Sequence, residues 1–468
     1  MSYSIAVDRL HSLGLELAPA GGQAATANPQ RRKFDLAHMR VLTDALGNPQ
    51  RSFPSVLIAG TNGKGSTAAT LASILRASGH RVGLYTSPHL LRINERISFS
   101  GQPVSDAAFA AAFERVTTAA ASLVESGALP HLPSFFETMT AMAFHFFAVS
   151  EVEIAILEVG MGGRLDATNI VEPVLSIITD IDLDHQKFLG NTIAEIAGEK
   201  AGILRPHVPA ITLPQHPEAN QVLGERMIEV EACPVSAVRN MASVSPASSA
   251  LVHSSLQETR FQLSVLGEQI EIVSPLVGRH QLRNLALAIT AAEELVPLGF
   301  RITAESVALG TRQTLWPGRF QRMPATAQRP EIILDVAHNP AGAWALRSAL
   351  TEQMGAEHRG AGQMGQRPLV LLFGAMADKA VDQIAQILWP RMTHIVLTRI
   401  AGNPRAADPA ALAALAQSLG VAHSLAPTVA EGLQTAIAET LKLGPEAALV
   451  IAGSIYVAGE AMQQLDRV

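Results

Sequence analysis

Cysteine is almost absent from this chain: Cys233 stands alone among 468 residues. A single thiol excludes an intramolecular disulfide framework and any zinc or iron–sulfur site built from several cysteines. Charge is also sparse, at 16%, and its small excess is negative, with 35 Lys and Arg against 41 Asp and Glu. A formal charge of −6 without a long basic run argues against a nucleic-acid coat. No stretch approaches the roughly 18 apolar residues of a membrane span. At the amino end, Asp8 and Arg9 interrupt the apolar core that a signal peptide would need. Apolar residues, in contrast, make up 48%, enough to fill sizeable cores. The expectation is a soluble, cytoplasmic protein that binds neither nucleic acid nor membrane.

Length alone suggests about three domains, but the texture of the chain favours two of unequal size. Continuous apolar runs at Val56–Ala59, Arg81–Thr86, Ile154–Val159 and Leu175–Thr179 read as parallel strands covered on both faces. Helix-like stretches lie between them, such as Thr67–Ser78, which stops at Gly79, a residue suited to the left-handed cap position. Between Ala242 and Pro275 the pattern alternates with period two, predicting an antiparallel hairpin about a Gly267-Glu268 turn. A helix over Gln281–Leu295 follows, and a proline-rich linker is expected near residues 317–330. A second α/β series has strands at Ile332–Val336, Leu369–Phe373, His394–Thr398 and Ala448–Ala452, with helices such as Trp344–Glu352 and Pro409–Ser418. Asp408 is the expected N-cap of the last helix, and residues 358–368 read as a Gly-rich surface loop. The fold class is therefore α/β: a larger domain with a mostly parallel sheet, then a smaller second α/β domain.

The most informative segment is Gly60-Thr61-Asn62-Gly63-Lys64-Gly65-Ser66, entered from a buried strand and left through a helix. Glycines let backbone N–H groups converge on a polyphosphate, a lysine adds a mobile cation, and the helix N-terminus adds partial positive charge. The usual loop places four residues between its first glycine and Gly-Lys; here Thr61 and Asn62 alone intervene, and Gly65 separates Lys64 from Ser66. The strand–loop–helix context is present, and a mere Gly-rich turn would have no use for the lysine. Nucleoside triphosphate binding follows.

Other residues read less sharply on their own. Ser87 and Glu158 end predicted parallel strands, where open α/β sheets hold ligands, and hard oxygen donors there suit magnesium. Ser87 could equally be a strand-end turn hydroxyl before Pro88, and His185 a surface turn histidine. Lys200 sits on a helix among Ile196, Ala197, Ala201 and Ile203, so its amine is either solvated or partly desolvated with a lowered pKa. A neutral amine there could add carbon dioxide and become a carbamate.

The phosphate loop is followed, in order, by TSPHLLRINERI (86–97), FFETMTAMAF (135–144), ILEVGMGGRLDATNIV (156–171), DHQKFLGNTIAEIAGEKAGIL (184–204), GRHQLRNLALA (278–288), WPGRF (316–320) and LDVAHNPAGA (334–343). These blocks resemble those of the folylpolyglutamate synthase and dihydrofolate synthase branch of the Mur ligase superfamily, with a weaker echo in Phe373–Met376 and Gly453–Tyr456. The resemblance implies an ATP-binding domain over residues 1–320 and a Rossmann-like glutamate ligase domain over 321–468. It implies a monomer that joins L-glutamate to dihydropteroate or a reduced folate, using ATP and two magnesium ions, through an acyl phosphate. It assigns Ser87, Glu158 and His185 to magnesium, makes Lys64, His185 and Lys200 catalytic, and marks Lys200 as carboxylated. It gives Asn284 to adenine, and Arg319 and Asp335 to the nucleotide, with His338 in the same turn. Phe34, Asp35, Leu36, Ser134, Phe135, Phe136, Glu137, Leu165, Asp166 and Ala167 would hold the pteroate. Against these stand plainer readings: core packing for Phe135 and Phe136, surface filler for Arg319, a helix-start polar residue for Asn284, and a helix cap for Asn339. After Leu36 the chain departs from the family, with Ala37 where glycine is usual. Two other functions compete. A cell-wall-precursor ligase is opposed by Gly65 and the DATN block; a nucleotide switch protein would not need Glu158, His185 and Lys200 together.

Overall fold

The computed structural model describes residues 1–14, 36–242, 252–254, 258–357 and 367–465. Phe34 and Asp35 of the expected pteroate site lie outside these residues, as does most of the Gly-rich loop at 358–368. The chain divides into two compact units: Met1–Met241 with Ser264–Ile270 and Asn284–Gln313, and Ala242–Leu263 with Glu271–Arg283 and Thr314–Val468.

The chain opens with helices α1 (Tyr3–Ser12) and α2 (Leu36–Ala45), then strand β1 (Ser55–Ala59), α3 (Lys64–Ala77), β2 (Val82–Tyr85), β3 (Ile97–Phe99), β4 (Gln102–Pro103), α4 (Asp106–Glu125), α5 (Phe135–Val149), β5 (Ile154–Glu158) and β6 (Leu175–Ile178). It continues through α6 (Gln186–Leu189), α7 (Ile193–Ala201), β7 (Pro209–Thr212), α8 (Pro217–Glu229) and β8 (Cys233–Ser236). The eight strands form one sheet in the order β4-β3-β2-β5-β1-β6-β7-β8. Strand β1 lies between β5 and β6, parallel to both, and every residue of β1, β5 and β6 is buried. Burial on both faces explains why these strands read as continuous apolar runs. The short antiparallel β3 and β4 close one edge.

Helix α4 shows how the flanking layer is held. Phe109, Ala112, Phe113, Val116, Ala119 and Ala120 recur at helical spacing and are buried in the core, and Ser105 caps its first turn. Each phenylalanine contributes about 2–3 kcal/mol through burial. This is the one described helix long and apolar enough to cross a membrane, with a mean hydropathy of 1.2. Its opposite face exposes Glu114, Arg115 and Thr118, so the apolar stripe is one-sided and turned to the core.

Next come β9 (Val252–Ser254), β10 (Thr259–Val265) and β11 (Glu268–Ser274), a three-stranded sheet. The expected hairpin is present, but its turn is Leu266-Gly267, with φ of 52° and 84°, rather than Gly267-Glu268. Two left-handed residues match the type I′ turn that suits strand twist. Helices α9 (Arg279–Leu295) and α10 (Ala304–Arg312) follow.

The rest of the chain builds β12 (Gln321–Met323), β13 (Glu331–Leu334), α11 (Pro340–Glu357), β14 (Leu369–Phe373), α12 (Val381–Leu388), β15 (His394–Thr398), α13 (Pro409–Ser418), β16 (His423–Ala426), α14 (Val429–Lys442), β17 (Ala448–Ala452) and α15 (Ile455–Leu465). The sheet order is β12-β13-β17-β14-β15-β16, parallel except for β12. Strand β12 falls inside the segment expected to be a linker. Its pairing to β13 is supported by Arg322, which donates to Glu331, whose other oxygen takes Arg367 at 2.6 Å. Phe373 and Trp389 meet edge to face in this core at 5.4 Å. Asp408 caps α13 by accepting from Ala410, as expected.

Candidate active site

The phosphate loop leaves the end of β1, at the centre of the first sheet, and turns into α3. Gly60 has φ 151°, and a Cβ there would lie 1.8 Å from the Thr179 hydroxyl on the adjoining strand end. Gly63 has φ 90° and caps α3; a Cβ there would strike the Asn284 amide at 2.2 Å. Both positions therefore require glycine for conformation and for space. Asn284, a buried residue of α9, is thus packed against the loop. The loop is also tied to the segment after β6. The N–H groups of Thr61 and Asn62 donate to the Asp180 carbonyl at 2.8 and 3.1 Å, and the Thr61 hydroxyl donates to the Asp182 carbonyl. These amides brace the loop, whereas the first-turn amides of α3 at Lys64, Gly65 and Ser66 have no intrahelical acceptor.

Two lysines converge on one carbonyl. Lys64 Nζ donates to Gly60 O at 3.1 Å and to Thr61 O at 3.2 Å, and lies 4.0 Å from Glu158 Oε1. Lys200 Nζ, from α7, donates to the same Gly60 O at 2.7 Å. Lys200 is 3% exposed. Burial lowers its pKa to about 7, the Lys64 charge adds to the depression, and Asp184 and Asp166 oppose it. The desolvated reading of this helical lysine is the one realised.

Glu158 is the last residue of β5, and Ser87 lies just beyond the end of β2, its parallel neighbour. Ser87 N donates to Glu158 Oε2 at 3.3 Å. Glu158 is 4% exposed, so its carboxylate must be compensated in place. A serine and a carboxylate side by side at strand ends fit a magnesium ion, which takes few protein ligands and keeps water or phosphate oxygens. Among the described residues, no three His, Cys, Asp or Glu side chains stand close enough to cage a metal alone. His185 sits in the left-handed region, φ 51°, at the start of α6, with its ring 4.0 Å from the Asp184 carboxylate.

The expected pteroate segments are largely committed to structure. Ser134 and Glu137 form a reciprocal capping box on α5: the Ser134 N–H and hydroxyl each donate to Glu137 at 2.7 Å. Phe135 is buried, stacked on His11 at 6.0 Å with Arg96 over its ring at 5.2 Å. Phe136 lies against Gly160 and 6.1 Å from Tyr85. Asp166 accepts from the Gly160 and Met161 amides, each at 3.0 Å, and from the Thr168 amide and hydroxyl at 3.0 and 2.6 Å. Burial nevertheless raises its pKa against those bonds. It is the staple of the loop after β5. Leu165 is exposed, Ala167 buried, and Leu36 begins α2 half-buried.

In the second unit, Asp335 follows β13 and accepts from the Phe320 and Ala337 amides, each at 2.8 Å. Burial raises its pKa, opposed by the neighbouring Arg319. Arg319 donates to Gly318 O at 3.2 Å and lies 5.9 Å from the Trp316 ring centre. His338 Nδ1 donates to Val336 O at 2.9 Å, and Asn339 Oδ1 accepts from Gly342, the cap anticipated for it. Sequence reasoning misses the loop-bracing carbonyls of Asp180 and Asp182, because main-chain contacts leave no side-chain signal.

Two family models match this chain: the Mur ligase middle domain over residues 58–292 and the Mur ligase glutamate ligase domain over residues 318–455. Phosphate loop, parallel sheet and second domain together define an ATP-dependent ligase of the Mur type. Folylpolyglutamate synthase of Lacticaseibacillus casei is 34% identical over 431 residues, 92% of this chain and 94% of that protein. Dihydrofolate synthase/folylpolyglutamate synthase of Mycobacterium tuberculosis (strain ATCC 25618 / H37Rv) is 36% identical over 461 residues, 91% of this chain and 89% of that protein. The solved Mycobacterium tuberculosis folylpolyglutamate synthase complexed with ADP superposes with a TM-score of 0.83 at 33% identity, covering 99% of both chains. The chain belongs to the folylpolyglutamate synthase/dihydrofolate synthase family of Mur ligases.

Proposed function

We propose that this ligase adds L-glutamate both to dihydropteroate and to reduced folates, as a monomer in the cytoplasm. The observation that carries the reading is the convergence of Lys64, Lys200 and Glu158 around Gly60 and the ends of β1, β2 and β5. ATP phosphorylates the substrate carboxylate, the glutamate amine attacks the acyl phosphate, and phosphate leaves. Bound magnesium supplies charge neutralisation for the transferring phosphoryl group. Ser87, Glu158 and His185 are the residues proposed to hold it. Lys64 and the first-turn amides of α3 bind and orient the phosphates, and Asn284 reads adenine with a donor and an acceptor. Lys200, whose pKa burial lowers to about 7, takes up carbon dioxide as a carbamate in this reading. For the pteroate, Phe136 and Leu165 remain the proposed apolar wall, while Ser134, Glu137 and Asp166 shape its loops.

Magnesium-dependent ADP release, with dihydropteroate and tetrahydrofolate offered separately in the presence of glutamate, tests this. Release with both supports the bifunctional reading, and release with tetrahydrofolate alone restricts it to polyglutamylation. Release with a muramyl substrate instead overturns it. Unmodified Lys200 under bicarbonate, together with full activity in Lys200→Ala, would sink the carbamate.

A further inference from the structure

Away from the phosphate loop, the first unit holds a cavity of about 420 Å³. Every residue lining it belongs to the segment Met1–Met241. It lies against the carboxyl half of α2, the turn Pro49–Arg51 and the chain that enters β6. Val174 N donates to Ser55 O at 2.9 Å, so this chain meets β1 at its first residue, the end opposite the phosphate loop. The length of β1, roughly 16 Å, separates the two.

Its walls divide by chemistry. Phe53, Ile170 and Val171 supply a buried apolar face. Gln50 donates from Nε2 to Asn48 Oδ1 at 3.1 Å, and its Oε1 is buried without a hydrogen-bond partner. A buried acceptor is thus short of a donor. The carboxylates at the rim are engaged: Asp44 accepts from Asn48 Nδ2 at 2.6 Å, and Glu172 lies 3.6 Å from Arg205 Nε. Two cations are not. Arg40 and Arg51, both exposed, make no hydrogen bond or ion pair with any described residue, whereas Arg92, Arg164, Arg226 and Arg239 of the same unit are each paired. Burial lowers the pKa of Arg205; Glu172 opposes this, and the charges of Arg40 and Arg226 add to it. Positive charge is therefore in local excess, Arg40, Arg51 and Arg205 standing against Asp44 and Glu172. An apolar face, a buried acceptor and unpaired guanidinium groups around one space match a ring that bears a donor and an oxyanion.

We propose that this cavity binds an aromatic carboxylate carrying a hydroxyl or amino group, with its ring on Phe53 and Ile170, its donor on Gln50 and its carboxylate on Arg40 and Arg51. None of the residues proposed for nucleotide, magnesium or pteroate lines it, so the site stands apart from the ligase reading. Calorimetric titration of the full chain with para-hydroxybenzoate, in the presence of ADP and dihydropteroate, tests it. Saturable one-to-one binding is expected. Benzoate should bind about fivefold more weakly for want of the donor, and inorganic phosphate more weakly still, having no apolar surface to bury. Arg40→Gln and Arg51→Gln should each weaken para-hydroxybenzoate roughly tenfold, and added salt should weaken it in the native chain. Gln50→Leu should abolish the preference for para-hydroxybenzoate over benzoate while both still bind, a pattern that damage to the fold would not give. If Gln50→Leu does not accumulate folded, the two arginine substitutions, at exposed positions, carry the test. No saturation at millimolar para-hydroxybenzoate, binding that survives both arginine substitutions, or displacement by dihydropteroate overturns the assignment. Phosphate binding as tightly as para-hydroxybenzoate overturns it as well, leaving a bare oxyanion site.

Discussion

Replacing Lys200 with methionine keeps a long unbranched side chain and removes its titration. The unfolded chain holds a proton on this amine up to about pH 10.4, but the folded chain holds it only to about 7. Between those values the unfolded state binds more protons, so stability rises with pH, by about 1.4 kcal/mol per pH unit at most. Below pH 7 both states are protonated and the cost of burying the cation is fully present. Over the whole window that cost is on the order of 5 kcal/mol. From about pH 7 to about pH 9 the native chain should therefore gain about 2 kcal/mol on Lys200→Met. Urea unfolding of both proteins at the two pH values, in buffer stripped of carbon dioxide, measures the difference. Added bicarbonate should widen the gap for the native chain alone, because a carbamate forms on the folded amine. Parallel stabilities across the range, with or without bicarbonate, would refute the depressed pKa and the chemistry built on it.

Three further substitutions test the site. Gly60→Ala drives a Cβ into Thr179 at 1.8 Å; nucleotide affinity by calorimetry should collapse and stability fall by about 1–3 kcal/mol, and native affinity would contradict the packing. Glu158→Gln should lower kcat at least roughly a hundredfold at saturating ATP with an unchanged melting temperature; a magnesium titration superposing on the native one would remove Glu158 from the metal. Asp166→Ala strands the Gly160, Met161 and Thr168 donors. It should cost about 3 kcal/mol or more in urea unfolding, and a loss under about 1 kcal/mol would mean the loop is held otherwise.

The parallel core is legible in the sequence because burial on both faces leaves apolar runs such as Leu369–Phe373, which forms its strand to the residue. The half-exposed strands β7, β8 and β16 are not, since short segments of this kind carry neither a run nor clear alternation. Strand β12 is hidden by flanking prolines, and its anchor, Arg322 with Glu331, is a pairing across the fold rather than a local pattern. The phosphate loop announces itself through glycine and lysine in context. The capping box at Ser134 and Glu137 is also readable as S-x-x-E, yet the family resemblance gives both residues to substrate. The bracing of Thr61 and Asn62 by Asp180 depends on a neighbouring strand and has no local signature.

Gly60 O accepts from Lys64 and from Lys200, which reaches it from 140 positions further along the chain. One acceptor shared by two donors makes the pair energetically interdependent. A change at either amine redistributes the other's hydrogen bond, so the effects of altering both fall short of, or exceed, the sum of the two alone. The peptide plane at Gly60 is thus a junction that couples helix α7 to Lys64 at the start of α3.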